Sequence, residues 1–172
     1  IRIIVQPGNH DAVRPAEPQP TFPKDLTKLF DSAITFVGNP CYLEIEGRKI
    51  LSYHGRSLDD WIGNVQGLNY NNPLQGMVEM LKRRHMAPIY GGKTPLAPEK
   101  EDFLVIDEVP DIFVSGHVHG AGISEYRGVK LICASTWQSQ TAFQRMHNFN
   151  PIPAQMPITH LGTGDTRMVD FT

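Results

Sequence analysis

The chain has 172 residues, 40% hydrophobic and 20% charged, which suits one globular domain and excludes a disordered tail, a fibrous repeat and a disulfide-rich miniprotein. Its 16 Lys and Arg against 18 Asp and Glu leave a net charge of −2, so bulk positive charge cannot be what holds a nucleic acid partner. No apolar run approaches the roughly 20 residues of a membrane-spanning helix, and no membrane segment is expected.

Ile1 to Gln6 reads as a buried strand, apolar and mostly β-branched, stopped by Pro7-Gly8. Its opening Ile1-Arg2-Ile3-Ile4-Val5 has neither an initiator Met nor the n-region of a signal peptide, and the chain reads as a piece of a longer protein. Pro15, Pro18, Pro20 and Pro23 exclude helix from Ala12 to Pro23 and predict an ordered loop or extended track. A short helix is expected over Lys24–Phe30. Strands follow over Ile34–Val37, Tyr42–Ile45 and Lys49–Tyr53, the last two joined by a tight turn at Glu46-Gly47. Ser57-Leu58-Asp59-Asp60 resembles a capping box with Asp in place of Glu, which predicts a helix start.

A longer helix is expected over Pro73–Arg84, with Asn72 as N-cap and Met77, Met80 and Leu81 on one face. Lys82-Arg83-Arg84 would then sit in its last turn, at the negative end of the helix dipole. Gly91 to Asp102 reads as a Gly/Pro-rich loop, and Ile112–Ser115 as a strand. Ser124–Tyr126 and Val129–Cys133 form a hairpin about Arg127-Gly128, and Met168–Phe171 a terminal strand. Strands outnumber helices, so the fold class expected is mixed α/β with strands inside. Cys41 and Cys133 lie in apolar stretches and read as two reduced, buried thiols of an intracellular protein, with a single disulfide as the open alternative.

Three polar clusters each follow a strand: Pro7-Gly8-Asn9-His10-Asp11, His54-Gly55 and Gly116-His117-Val118-His119-Gly120. Taken singly, each has a structural reading; Gly-Asn-His-Asp is a good turn and a lone His-Gly is usually structural. Jointly they point elsewhere. Ligand sites in α/β sheets form beyond the carboxyl ends of strands, so three such clusters converge on one rim. At spacing two on extended backbone, His117 and His119 would point the same way. Imidazoles, an amide oxygen and a carboxylate suit a borderline divalent metal such as Mn, Zn or Fe.

The order Gly-Asn-His-Asp, then His, then Gly-His-Val-His resembles the calcineurin-like metallophosphoesterase superfamily. Pro7–Pro20, His54–Leu68, Met77–Pro98, Val109–His119 and Ser135–Pro157 resemble, within it, the small subunits of archaeal family-D DNA polymerases. The phrases Gly91-Gly92-Lys93 and Ala134-Ser135-Thr136-Trp137-Gln138 are the most specific parts of that likeness. The resemblance implies a mixed β-sheet sandwich of the metallophosphoesterase type, residues 1–172 being its C-terminal part.

It further implies a Mn²⁺-dependent 3′–5′ exonuclease with two divalent metal ions, Fe, Zn or Ni being alternatives. The partners implied are the large catalytic subunit, a DNA 3′ end and a sliding clamp, in an archaeal cytoplasm and without a membrane. Carried over by position, Asn9, His54 and His117 would bind one metal and His119 the other. His10 would contact the scissile phosphate or protonate the leaving group, and Asp11 would orient His10. Ligating histidines are neutral, so activity should fall as pH drops through the imidazole range. The superfamily's opening Asp-x-His and Gly-Asp motifs do not stand ahead of Asn9, so an incomplete two-metal site, inactive in this piece alone, is expected. Asp59, Asp60, Asp107 and Asp111 lie outside those motif contexts. A non-catalytic scaffold subunit and a small-molecule phosphoesterase are the alternatives.

Among the remaining residues, His85 reads as a capping cation. Lys93 lacks the strand–helix context of a P-loop, so nucleotide binding is not expected, and a DNA-backbone contact is the lesser reading. Trp61 and Trp137 read as core or interface anchors, and His147 and His160 as structural.

Overall fold

The computed structural model describes residues 1–146 and 149–172; His147 lies outside them. Its centre is a five-stranded mixed sheet in the order β3 (Cys41–Ile45), β4 (Arg48–Tyr53), β5 (Ile112–Ser115), β7 (Val129–Ala134) and β6 (Ala121–Tyr126). β4, β5 and β7 run parallel, and β3 and β6 close the two edges antiparallel. The mixed α/β architecture expected from the sequence is the one found.

Residues two apart on a strand face the same way, and the register stacks them into rows. Leu51, Phe113 and Leu131 stand side by side across the parallel strands, as do Tyr53, Ser115 and Cys133. That face is covered by α2 (Leu58–Asn64) and α3 (Pro73–Arg83), which supply Leu58, Trp61, Met77, Met80 and Leu81 to one buried cluster. On α3 the buried positions Pro73, Met77, Met80 and Leu81 follow the helical repeat of one apolar stripe. The tight turn joining β3 to β4 places both Glu46 and Gly47 at positive φ, the hairpin geometry that matches strand twist. Cys41 and Cys133 are free thiols, Cys133 buried and Cys41 half-buried. Among the described residues no helix is long and apolar enough to cross a membrane.

Several expectations are corrected. β1 (Ile3–Val5) forms but is not buried: it pairs in parallel with β2 (Ile34–Phe36) alone, and Ile3 and Ile4 are exposed. The first helix is a single turn, α1 (Lys24–Thr27). The short helix α4 (Ala142–Met146) and the strand β8 (Gln155–Thr159), which pairs with β9 (Thr166–Asp170), carry no periodic signal strong enough to be read beforehand. Asn72 precedes α3 but its side chain makes no capping bond. His85 does not cap α3: its Nε2 lies 2.8 Å from Asp102 Oδ2, and its Nδ1 accepts the Ala87 N–H. Of the two tryptophans, Trp61 is core and donates Nε1–H to the Met86 carbonyl, whereas Trp137 is exposed beside Phe171.

The capping box at α2 is also not made. Ser57 occupies the N-cap position, yet its hydroxyl donates to the Met86 carbonyl at 2.5 Å, and Asp60 turns its carboxylate to another loop. Asp serves as well as Ser at an N-cap, but a carboxylate cannot donate to a carbonyl. Ser57→Asp is therefore expected to destabilise the fold, and Ser57→Ala to cost about 0.5–1.5 kcal/mol, the net worth of one hydrogen bond. Urea midpoints check this; a neutral Ser57→Asp would restore the capping reading.

Candidate active site

The three polar clusters meet. Asn9 follows β1, His54 follows β4, and His117 follows β5, each just past a carboxyl end. Asn9 Oδ1 lies 2.8 Å from His54 Nε2 and 3.2 Å from His117 Nδ1. The two imidazoles stand edge to face with ring centres 5.1 Å apart. Gly8 allows the Asn9 loop to lie flat on His54: a Cβ there would sit 2.6 Å from the ring.

His117 and His119 do not share a direction in the way an extended segment would arrange them. Both have positive φ (64° and 54°), and Val118 between them is buried. Non-glycine residues held in that region cost of order 1–3 kcal/mol each, a strain that clusters at functional sites. His117 points to Asn9 with Nδ1 and to Asp59 with Nε2, at 3.0 Å. His119 instead meets Gln144, whose Nε2 donates to Nδ1 at 2.9 Å while its Oε1 accepts the Thr141 N–H.

Asp59 is the residue that sequence reasoning missed. Its carboxylate accepts from the His117 imidazole and from the Tyr70 hydroxyl at 2.9 Å. Burial pushes its carboxyl up, but those two hydrogen bonds prevail and hold it below the usual carboxylate value. With Asp59 accepting at Nε2, the Nδ1 side of the ring, which faces Asn9, would be the side to ligate a metal ion when one is bound. The only sequence signal was a paired acid at a helix start, which the dipole alone would explain.

Burial, with the neighbouring imidazoles and Arg56, drives the His54 pKa down to about 3, so the ring is neutral. Burial lowers that of His119 as well. His10 is exposed beside the cluster. Asp11 is not turned to His10 as expected: its carboxylate accepts the Gly8 N–H at 2.7 Å and so closes its own turn.

Behind His54 lies a buried polar network. The His54 N–H donates to Asn39 Oδ1 at 2.7 Å, and Asn39 Nδ2 donates to Gln19 Oε1 and Glu17 Oε1. Gln19 Nε2 donates in turn to the Gly8 carbonyl, so one network ties the Asn9 loop to the His54 loop. Glu17 also accepts from the Tyr53 hydroxyl at 2.6 Å. Burial raises the Glu17 pKa, against the opposing pull of Tyr53 and Asn39. A carboxyl with a raised folded pKa keeps its proton in the native state after the unfolded chain has lost it. Stability therefore falls as pH rises from the unfolded value, 4.5, through the folded one. Glu17→Gln should remove that fall; denaturant curves across this range check it, and a parallel pH profile for both proteins would contradict it.

The donor set fits a small divalent cation on one side. Ligand atoms around an ion held at about 2.1 Å stand about 3 Å apart, the spacing of Asn9 Oδ1 from its two imidazole nitrogens. Among the described residues no three His, Cys, Asp or Glu side chains form such a group, so the fit depends on the Asn9 amide oxygen with two imidazoles.

The family model for the DNA polymerase alpha/epsilon B subunit matches residues 1–120, and the chain belongs to that family. It is 55% identical over 162 residues to the DNA polymerase II small subunit of Archaeoglobus fulgidus, covering 94% of this chain and 33% of that one. The subunits of the same name from Thermoplasma acidophilum and Methanocaldococcus jannaschii are 45% and 51% identical, over 99% and 94% of this chain and 35% and 27% of theirs. The chain thus spans about a third of the length of these relatives. Among solved structures it is similar to an archaeal phosphodiesterase, with 16% identity, TM-score 0.39, and coverage of 85% of this chain and 56% of that one. It is also similar to a zinc-complexed Vps29 from Entamoeba histolytica, with 15% identity, TM-score 0.35, and coverage of 83% and 64%.

Proposed function

We propose that this chain is the C-terminal part of a metallophosphoesterase domain in the small subunit of a replicative DNA polymerase. Its site hydrolyses DNA phosphodiester bonds from the 3′ end, and its partner is the large catalytic subunit. The observation that carries the reading is the meeting of Asn9, His54 and His117 from three strand ends, with Asp59 setting the His117 tautomer.

Asn9, His54 and His117 would hold one divalent ion and His119 a second, for which the Gln144 amide must turn over and free Nε2 as the ligating nitrogen. When bound, two such ions, Mn²⁺ by preference, supply an activated water and neutralise charge at the leaving oxygen. His10, exposed at the rim, delivers a proton to that oxygen. The buried Gln19–Asn39 network keeps the Gly8 and His54 loops in register, so that the neutral His54 ring meets the Asn9 amide without reorganisation.

The test is digestion of 3′-labelled single-stranded DNA by the longer polymerase subunit in Mn²⁺. Shortening from the 3′ end that EDTA abolishes is expected. If purified subunit leaves the label intact in Mn²⁺, alone and with its large subunit, the chain is a scaffold and the hydrolytic reading fails.

A further inference from the structure

We propose that the Gly91–Thr94 loop is a DNA-backbone clamp whose Lys93 binds a phosphate of the strand entering the site, an inference that rests on reading the site as a DNA phosphodiesterase. The loop is fastened at both ends to the elements that carry the site. At one end, Asp60 is buried and its carboxylate accepts the backbone N–H groups of Lys93 at 2.6 Å and Thr94 at 2.9 Å. Burying a carboxylate is costly unless charged hydrogen bonds repay it, and here both bonds go to fixing the loop's backbone.

Gly92 makes the approach feasible, because a Cβ at that position would fall 2.3 Å from Asp60 Oδ1. At the other end, Glu17 N donates to the Pro95 carbonyl and Ala97 N to the Glu17 carbonyl, both within 2.9 Å. Glu17 belongs to the network that holds the His54 backbone through Asn39.

What this loop presents is one cation. Lys93 is exposed and forms no ion pair among the described residues. Its backbone is hydrogen-bonded to Asp60, the neighbour in sequence of Asp59, which holds His117.

A flexible ammonium on a rigid loop beside a phosphoesterase site suits a phosphate oxygen, for which lysine acts as a point charge. The net charge of −2 gives these 172 residues no diffuse attraction for DNA, and a local contact of this kind suits them. The absence of a P-loop context excludes only the nucleotide-cradling role, not this one.

The test uses the longer subunit in EDTA, where binding is read without cleavage, with a fluorescent single-stranded DNA titrated at several salt concentrations. Lys93→Met should weaken binding about 3–10-fold and flatten the slope of log K against log [salt] by roughly 0.7–1, the share of one phosphate contact. Lys93→Arg should keep most of both. In Mn²⁺ the KM for the same DNA should rise by a similar factor. Unchanged affinity and slope in Lys93→Met would overturn the proposal, as would wild-type subunit that does not bind the strand in EDTA. Lower thermal stability of Lys93→Met with unchanged DNA binding would also overturn it, assigning Lys93 to the fold. Because this readout requires no hydrolysis, a subunit that binds through Lys93 but never cleaves would refute only the hydrolytic reading.

Discussion

His117→Ala and His10→Ala are expected to fail in different ways when the longer subunit is titrated with Mn²⁺. His117 sits between Asn9 and Asp59 and uses both ring nitrogens. On the proposed reading its removal would delete a metal ligand and leave a carboxylate facing an emptied space, so Mn²⁺ binding should weaken and lost activity should return in part as Mn²⁺ is raised. His10 is exposed and outside that hydrogen-bonded set. His10→Ala should therefore bind Mn²⁺ nearly as wild type does, change stability by no more than about 0.5 kcal/mol, and lower turnover by about 10²–10⁴-fold, the usual contribution of a general acid. Calorimetry and exonuclease rates on the same preparations separate the two roles. Wild-type turnover in both variants would show that neither His10 nor His117 carries the hydrolysis and would overturn the proposed site.

Asp59→Ala carries the second large effect, through His117. With the acceptor at Nε2 gone, nothing holds the ring proton away from Nδ1, and each turn of the ring or shift of tautomer removes the lone pair aimed beside Asn9. Losses of 10–100-fold in metal affinity are typical when such a partner of a ligating histidine is removed. Asp59→Asn should lose less, because its amide oxygen still accepts from Nε2–H. Tyr70, which donates to Asp59, should matter less again, since it steadies a carboxylate that His117 already orients. Mn²⁺ titration of the three variants orders them; an Asp59→Ala protein with wild-type affinity would remove Asp59 from the site.

The meeting of Asn9, His54 and His117 was legible in the sequence because the residues stand in short local strings. Gly-Asn-His-Asp, His-Gly and Gly-His-Val-His each follow a strand that its own apolar residues announce; neighbouring β4 and β5 bring the two histidine strings to one edge, and the loop after β1, a strand outside that sheet, brings Asn9 against them. The core was legible for a related reason: the alternation along β4, the apolar runs of β5 and β7, and the stripe on α3 depend only on residues a few positions apart. Weak elements were not. β8 contains Pro157 and pairs with a single strand, and α4 spans barely more than a turn.

What the amino-acid sequence determined by itself, then, is which groups are present and which end of the sheet they leave from. Which of them touch was decided by tertiary structure. Asp59 lies 58 positions from His117, Gln144 lies 25 from His119, and Asp60 lies 33 from the Lys93 amide it holds. No periodicity relates such pairs. Asp59 and Asp60 are carried to their partners by the packing of α2, and Gln144 to His119 by α4; of these groups the buried Asp60 carboxylate in particular must find donors, and takes those the loop offers. Tertiary structure likewise turns the Ser57 hydroxyl from the helix cap to the Met86 carbonyl, and sets His117 and His119 at positive φ rather than in the extended line that their spacing suggests.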